Sequence, residues 1–106
     1  MAPRRRFDET ELGEALPGVE IVAPPGVLHP DRLIQAFVGA WAGDAAVLEQ
    51  VSVSRHLPAK PGAPLWLSGT VYGRHLDGSR RISIRVVGQD HLGDRLLGVV
   101  RVQLAA

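Results

Sequence analysis

Apolar positions recur at two different spacings along the chain, which separates one helix from a set of strands. Between residues 30 and 42 the spacing is helical, with apolar side chains at Leu33, Ile34, Phe37, Val38 and Trp41. Pro30 suits a first helical turn, where its missing N–H has no partner, and Gly43 suits the position after a helix. The pattern predicts one amphipathic helix over residues 30–42.

Gly39 lies inside this helix, where a glycine costs about 1 kcal/mol relative to alanine. A glycine is tolerated within a helix where another backbone comes close. We therefore expect the sheet to pack closely at Gly39.

After residue 44 apolar and polar residues alternate, which is typical of strands with one buried face. Strands are predicted at residues 47–57, 65–76, 81–87 and 96–104, with Asp77-Gly78 as a hairpin turn. An earlier strand over residues 18–23 ends at two consecutive prolines.

This element order predicts an α+β protein, with an antiparallel sheet wrapped around one central helix. The hot-dog fold has that layout. Residues 1–16 show no sustained period and are expected to form an N-terminal arm, so that residues 17–106 make a single hot-dog domain.

Composition excludes several functional classes. With 12 basic and 11 acidic side chains the 106-residue chain has a net charge of +1, which does not favour nucleic acid as a partner. It has no cysteine, which excludes disulfides and thiolate metal sites. No apolar run approaches the roughly 20 residues of a membrane helix. We expect a cytoplasmic protein without a membrane partner.

Several segments together resemble the MaoC-like family of (R)-specific enoyl-CoA hydratases and dehydratases, which have the hot-dog fold. The strongest is residues 57–71 (LPAKPGAPLWLSGTV), with a proline-glycine turn before a strand containing S-G-x-V. Residues 7–16, 39–44, 51–55 and 84–94 extend the resemblance over nearly the whole chain. The segments are similar to small MaoC-like subunits of actinobacterial steroid side-chain degradation.

The resemblance implies an aspartate and a histidine between the first strand and the helix, which activate water and move the α-proton of an acyl thioester. Here residues 23–30 (APPGVLHP) are too short for the usual segment, and His29 precedes Asp31 in the reverse order. The catalytic residues therefore stay unknown, with His29 and Asp31 as the candidates. The alternative is structural: His29 starts the helix, and Asp31 interacts with its positive end.

Three further residues are candidates for binding the acyl group or coenzyme A: Trp41, Trp66 and Arg55. Tryptophans on amphipathic elements also serve as core or interface residues, and an arginine on a strand also serves as a solvated surface residue. The remaining histidines lack metal-ligand spacing, so we expect no metal site. We expect no cofactor other than a coenzyme A thioester as substrate or ligand.

Three functions follow from these expectations. The first is a non-catalytic or half-site subunit of an enoyl-CoA hydratase or dehydratase, a lyase of lipid or steroid metabolism, paired with a second MaoC-like hot-dog chain. The second is a stand-alone hot-dog thioesterase or dehydratase, which would form a homodimer. The third is a non-enzymatic binding or scaffold module.

Overall fold

The computed structural model describes residues 6–22, 29–43, 45–56 and 64–104. Its elements in chain order are a short 3₁₀ helix (Phe7–Glu9), β1 (Ala15–Val22), α1 (Pro30–Ala42), β2 (Val47–His56), β3 (Pro64–Arg74), β4 (Arg81–Asp90) and β5 (Gly93–Gln103). The five strands form one antiparallel sheet in the order β1-β3-β4-β5-β2. The predicted α+β architecture, with a sheet and one helix, is confirmed.

One face of the sheet is apolar, because side chains alternate between the two faces along each strand. In β4, Ile82, Ile84 and Val86 are fully buried, whereas Ser83 and Arg85 between them are not. Strands β3 and β5 show the same alternation. The buried residues of the three strands form a single core with the buried face of α1.

Helix α1 begins and ends at the predicted residues, Pro30 and Ala42. Its buried side chains recur every three or four residues and comprise Ile34, Phe37, Val38 and Ala42. Most of the contacts that α1 makes with the sheet are to β2 and β5. The helix therefore covers one half of the apolar face. No helix within the described ranges is long and apolar enough to cross a membrane.

The close approach of helix and sheet occurs at Gly98 in β5, not at Gly39 as predicted. A methyl group added at Gly98 would overlap the fully buried Ile34 side chain and would lie 3.2 Å from the carbonyl oxygen of Ser52. Among the described residues, no atom outside the helix lies within 4 Å of the position that a methyl group at Gly39 would take. The prediction for Gly39 was wrong because the sheet packs on the helix face that carries Ile34.

Strand β1 begins at Ala15, three residues before its predicted start. Leu16 is buried and pairs with Gly69 of β3, so the last two residues of the predicted arm belong to the sheet. The chain before them also follows β3, because the Gly13 N–H donates to the carbonyl of Val71. Part of the segment predicted to be a surface arm is thus hydrogen-bonded to the sheet.

Arg74 at the end of β3 holds the start of the described chain. Its guanidinium lies 4.3 Å from the centre of the Phe7 ring, and its Nη2 donates to the Phe7 carbonyl at 3.3 Å. A cation over an aromatic face adds an electrostatic attraction to the packing of the ring. The 3₁₀ helix is thereby fixed beside the sheet.

The hairpin between β4 and β5 is tighter than predicted, since β4 extends to Asp90 and β5 begins at Gly93. The Asp90 carboxylate accepts hydrogen bonds from the Leu92 N–H and from Nε of Arg95, both at 2.8 Å. These bonds stabilise the turn, so that the pairing between β4 and β5 continues as far as Asp90 and Gly93. At the other hairpin, Asp77-Gly78 forms the predicted turn.

Substituting the two glycines should separate their roles. We expect Gly98→Ala to lower the free energy of unfolding by about 1–3 kcal/mol, because the added methyl overpacks the contact with Ile34. Gly39→Ala should raise it by about 0.5–1 kcal/mol, because alanine favours the helix and space is open there. Equilibrium unfolding in guanidinium chloride measures both. Equal effects of the two substitutions would contradict the assigned contact.

An ion pair between Glu49 of β2 and Arg81 of β4 crosses β5. The arginine donates from Nε and Nη2 to the two carboxylate oxygens, at 2.6 and 3.0 Å. This hydrogen bonding to Arg81 lowers the pKa of Glu49 below its usual value of 4.5. Since the folded state favours the charged carboxylate, the pair stabilises the fold above that usual value, and the contribution is lost as pH falls through the lowered pKa.

Glu49→Gln should therefore lower the free energy of unfolding at neutral pH, and its difference from the unsubstituted chain should shrink as the pH falls below 4.5 and through the lowered pKa of Glu49. Denaturant unfolding over a pH series measures this difference. Arg81→Gln should give the same pH profile, since it removes the other member of the pair. A difference that stays constant from neutral to acid pH would show that the ion pair is not its source.

Candidate functional site

A cavity of about 640 Å³ opens between α1 and β1, on the half of the sheet that the helix does not cover. We call it the α1–β1 groove. Its lining consists of Glu9, Pro17, Val19, Ile21, Leu33, Ala36, Phe37, Ala40, Trp41 and Leu67. Nine of these ten residues are apolar, and the volume falls in the range of small-molecule sites. The groove is suited to an apolar ligand.

The helix wall of the groove follows from helical spacing. Its residues recur at intervals of three and four positions, which places them on one face of α1: Leu33, Ala36, Phe37, Ala40 and Trp41. Ala36 and Ala40 are exposed and small, so they leave space in the groove beside the helix. Phe37 belongs to both this face and the core.

A β-bulge in β1 builds the opposite wall. Leu16 pairs with Gly69 and Val19 pairs with Leu67, so two residues of β1 oppose one residue of β3. Without the extra residue, strand alternation would place Glu20 on the helix side and Ile21 on the outer side. The bulge reverses this and brings Val19 and Ile21 to the groove.

The floor of the groove depends on a glycine of β3. A methyl group at Gly69 would lie 3.2 Å from Cε2 of Phe37 and 3.3 Å from Cδ2 of Leu16. Such contacts are tighter than most in protein interiors, so a side chain at this position would require the Phe37 ring or Leu16 to shift. Leu67, two residues earlier in β3, completes the floor.

The structure separates the two tryptophans that were predicted to bind an acyl group. Trp41 lines the groove and packs against the core. Trp66 is 47% exposed on the outer face of the sheet, where it lies over Gly18. It faces outward because Leu65 and Leu67 on either side of it face the helix. Trp66 therefore does not contribute to this groove.

His29 and Asp31 lie at the start of α1, where both are exposed. The His29 carbonyl accepts a hydrogen bond from the Leu33 N–H, and its side chain makes no capping bond. Neither residue lines the groove, and residues two apart in a helical turn do not face each other. The described residues thus bring no aspartate and histidine together in the groove.

Two further predictions fall partly outside the described residues. Residues 23–28, which hold most of the shortened segment before α1, are among those not described. Arg55 belongs to β2, where it pairs with Leu97, and its side chain also lies outside the description. Within the described ranges, no group of three histidines and carboxylates is placed to hold a metal ion.

Sequence reasoning did not identify Pro17, Val19, Ile21 or Glu9 as groove residues. The helical spacing of Leu33, Ala36, Ala40 and Trp41 could have predicted the helix wall of the groove. The strand wall carried none, because the bulge changes which β1 side chains face inward without changing the apolar pattern.

Comparison with known proteins gives the fold a name. No family model matches the sequence, and no curated protein matches it. The structure superimposes with a TM-score of 0.81 on a chain of the ChsH1-ChsH2 complex from Mycobacterium tuberculosis, at 19% identity, covering 91% of this chain and 99% of that chain. The chain has a hot-dog fold.

Two other solved structures share this hot-dog fold. An (R)-hydratase from A. caviae involved in PHA biosynthesis superimposes with a TM-score of 0.75, at 14% identity, covering 91% of this chain and 98% of that chain. RHA08564, a thioesterase superfamily protein, gives 0.57 at 24% identity, covering 83% of this chain and 48% of that chain. The resemblance seen in the sequence is thereby confirmed at the level of the fold.

Filling the groove should weaken the binding of apolar ligands to this chain. Ala36→Phe places a ring in the space beside the helix, so we expect several-fold weaker binding of the fluorescent apolar dye ANS. Gln35→Phe is the matched control, because Gln35 is an exposed neighbour that does not line the groove. Dye titration followed by fluorescence measures both. Equal loss of binding in the two variants would place the dye elsewhere.

Proposed function

We propose that this chain is the acyl-thioester-binding subunit of an enoyl-CoA hydratase or dehydratase, and that a second hot-dog chain supplies the acid and the base. The observation that supports the proposal is an apolar groove of about 640 Å³ on a hot-dog fold, with no aspartate–histidine pair among the described residues that line it. The groove would bind the acyl group. The partner would carry the chemistry.

The reaction explains why one groove without an acid–base pair is incomplete. Adding water across the double bond of an enoyl thioester requires a base that takes a proton from water as its oxygen bonds to the β-carbon. It also requires an acid that gives a proton to the α-carbon. The lining residues include one titratable side chain, Glu9. This chain would therefore hold the acyl chain and exclude water from it.

The sheet has two edge strands, and they differ in their capacity to pair with another chain. In β1 the ladder is interrupted by the bulge, and Pro17 has no N–H to donate. Strand β2 has ten residues and no proline, so every residue of that edge has an N–H, although two register shifts interrupt its ladder with β5. We assign β2 as the edge that would meet the partner chain. The ChsH1-ChsH2 complex, one chain of which resembles this fold, supports a paired assembly.

The decisive experiment combines the isolated chain with 2-decenoyl-CoA. We expect calorimetry to show binding and absorbance at the enoyl band to show no hydration, because the described residues that line the groove include no aspartate–histidine pair. Ala36→Phe should weaken the binding at least tenfold by blocking the groove, while Gln35→Phe should retain it.

Three outcomes would overturn the proposal in different ways. Hydration by a homodimer of the isolated chain would make it a complete hydratase. Release of free thiol would make it a thioesterase. Absence of binding to any acyl-CoA would leave a scaffold or interaction module.

A further inference from the structure

The two ends of the α1–β1 groove differ in chemistry, because the lining includes a single charged residue. Glu9 lies in the 3₁₀ helix, and its side chain is 56% exposed. Its Oε1 is 3.8 Å from Nε of Arg6, a distance at which an exposed ion pair contributes little. The carboxylate is therefore available to a ligand that fills the groove.

Strand register shows which end of the groove Glu9 occupies. Along β1, Ile21 pairs with Leu65 near the start of β3, and Ala15 pairs with Thr70 further along it. Phe7 is held by Arg74, at the far end of β3. Glu9, two residues after Phe7, therefore lies at the Ala15 end of the groove.

Trp41 lies at the same end as Glu9. Helix α1 leads into β2, so the end of the helix lies near Val47, the first residue of β2. Val47 pairs with Gln103, and Gln103 pairs with Arg81 at the start of β4. The start of β4 lies beside the end of β3. Leu33 is eight residues before Trp41, so it marks the opposite end, about 12 Å away at the helical rise of 1.5 Å per residue.

The start of α1 favours one direction for a bound acyl-CoA. The start of α1, at the Leu33 end, presents backbone N–H groups and the positive end of the helix dipole. The Glu9 end carries the carboxylates of Glu9 and Asp8. Side-chain charges of both signs lie at each end, since Asp31 follows the helix start, and Arg6 and Arg74 lie near Glu9. The backbone N–H groups of the helix start therefore favour the coenzyme phosphates at the Leu33 end. The far end of the acyl chain would then meet Glu9.

We infer that Glu9 determines acyl specificity, favouring acyl groups that end in a hydroxyl and disfavouring those that end in a carboxylate. The inference rests on the proposed function, since it assumes an acyl thioester in the groove. A carboxylate accepts a hydrogen bond from a hydroxyl, and such a charge-assisted bond is stronger than one between neutral groups. A second carboxylate at the same place is repelled.

Three coenzyme A thioesters of equal chain length test the inference by calorimetry: decanoyl-CoA and its analogues ending in a hydroxyl or a carboxylate. We expect the hydroxyl form to bind the unsubstituted chain about threefold to tenfold more tightly than the methyl form, and the carboxylate form to bind more weakly than the methyl form. Glu9→Leu should remove the preference for the hydroxyl and the penalty on the carboxylate.

Asp8→Asn is the matched control, because it removes a neighbouring charge of the same 3₁₀ helix that does not line the groove. It should keep both preferences. If all three thioesters bind but their ratios are the same in Glu9→Leu, the role of Glu9 is overturned and the proposed function stands. If none of the three binds the unsubstituted chain, both are overturned.

Discussion

The packing of Ile34 against Gly98 determines where the helix lies on the sheet, and the rest of the molecule depends on that position. Because β5 has no side chain at Gly98, α1 approaches the β2 and β5 half of the apolar face closely and buries Ile34 completely. The other half, formed by β1 and β3, receives only the edge of the helix. The α1–β1 groove is the space that this asymmetric packing leaves open.

The spacing of apolar residues was sufficient to predict the fold. The helical interval from Leu33 to Trp41 and the alternation in β4 each have one structural solution when one face is buried. The outward direction of Trp66 was also implicit in its position between two inward leucines. Pairing along the hairpins was less well predicted, because the Asp90 carboxylate extends the ladder beyond the alternating segment.

The groove could not be predicted in the same way, because two features that build it do not change the hydrophobic pattern. The bulge at residues 17–18 reverses the direction of the side chains that follow it, and only the pairing with β3 reveals the reversal. The space under Phe37 comes from Gly69, which in the sequence is an ordinary strand glycine. Candidate chemistry sought at His29 and Asp31 therefore gave way to an apolar site on the other side of α1.

An apolar groove whose described lining residues include no aspartate–histidine pair supports our proposal that the chain is one half of a two-chain site. The two tryptophans test the central claim directly, since Trp41 lines the groove and Trp66 lies on the outer face of the sheet. The measurement is a ¹⁵N NMR titration of the indole N–H signals with decanoyl-CoA. We predict that the Trp41 signal shifts while the Trp66 signal stays in place. A shift confined to Trp66, or no shift of either signal at saturating ligand, would contradict an acyl-binding groove between α1 and β1.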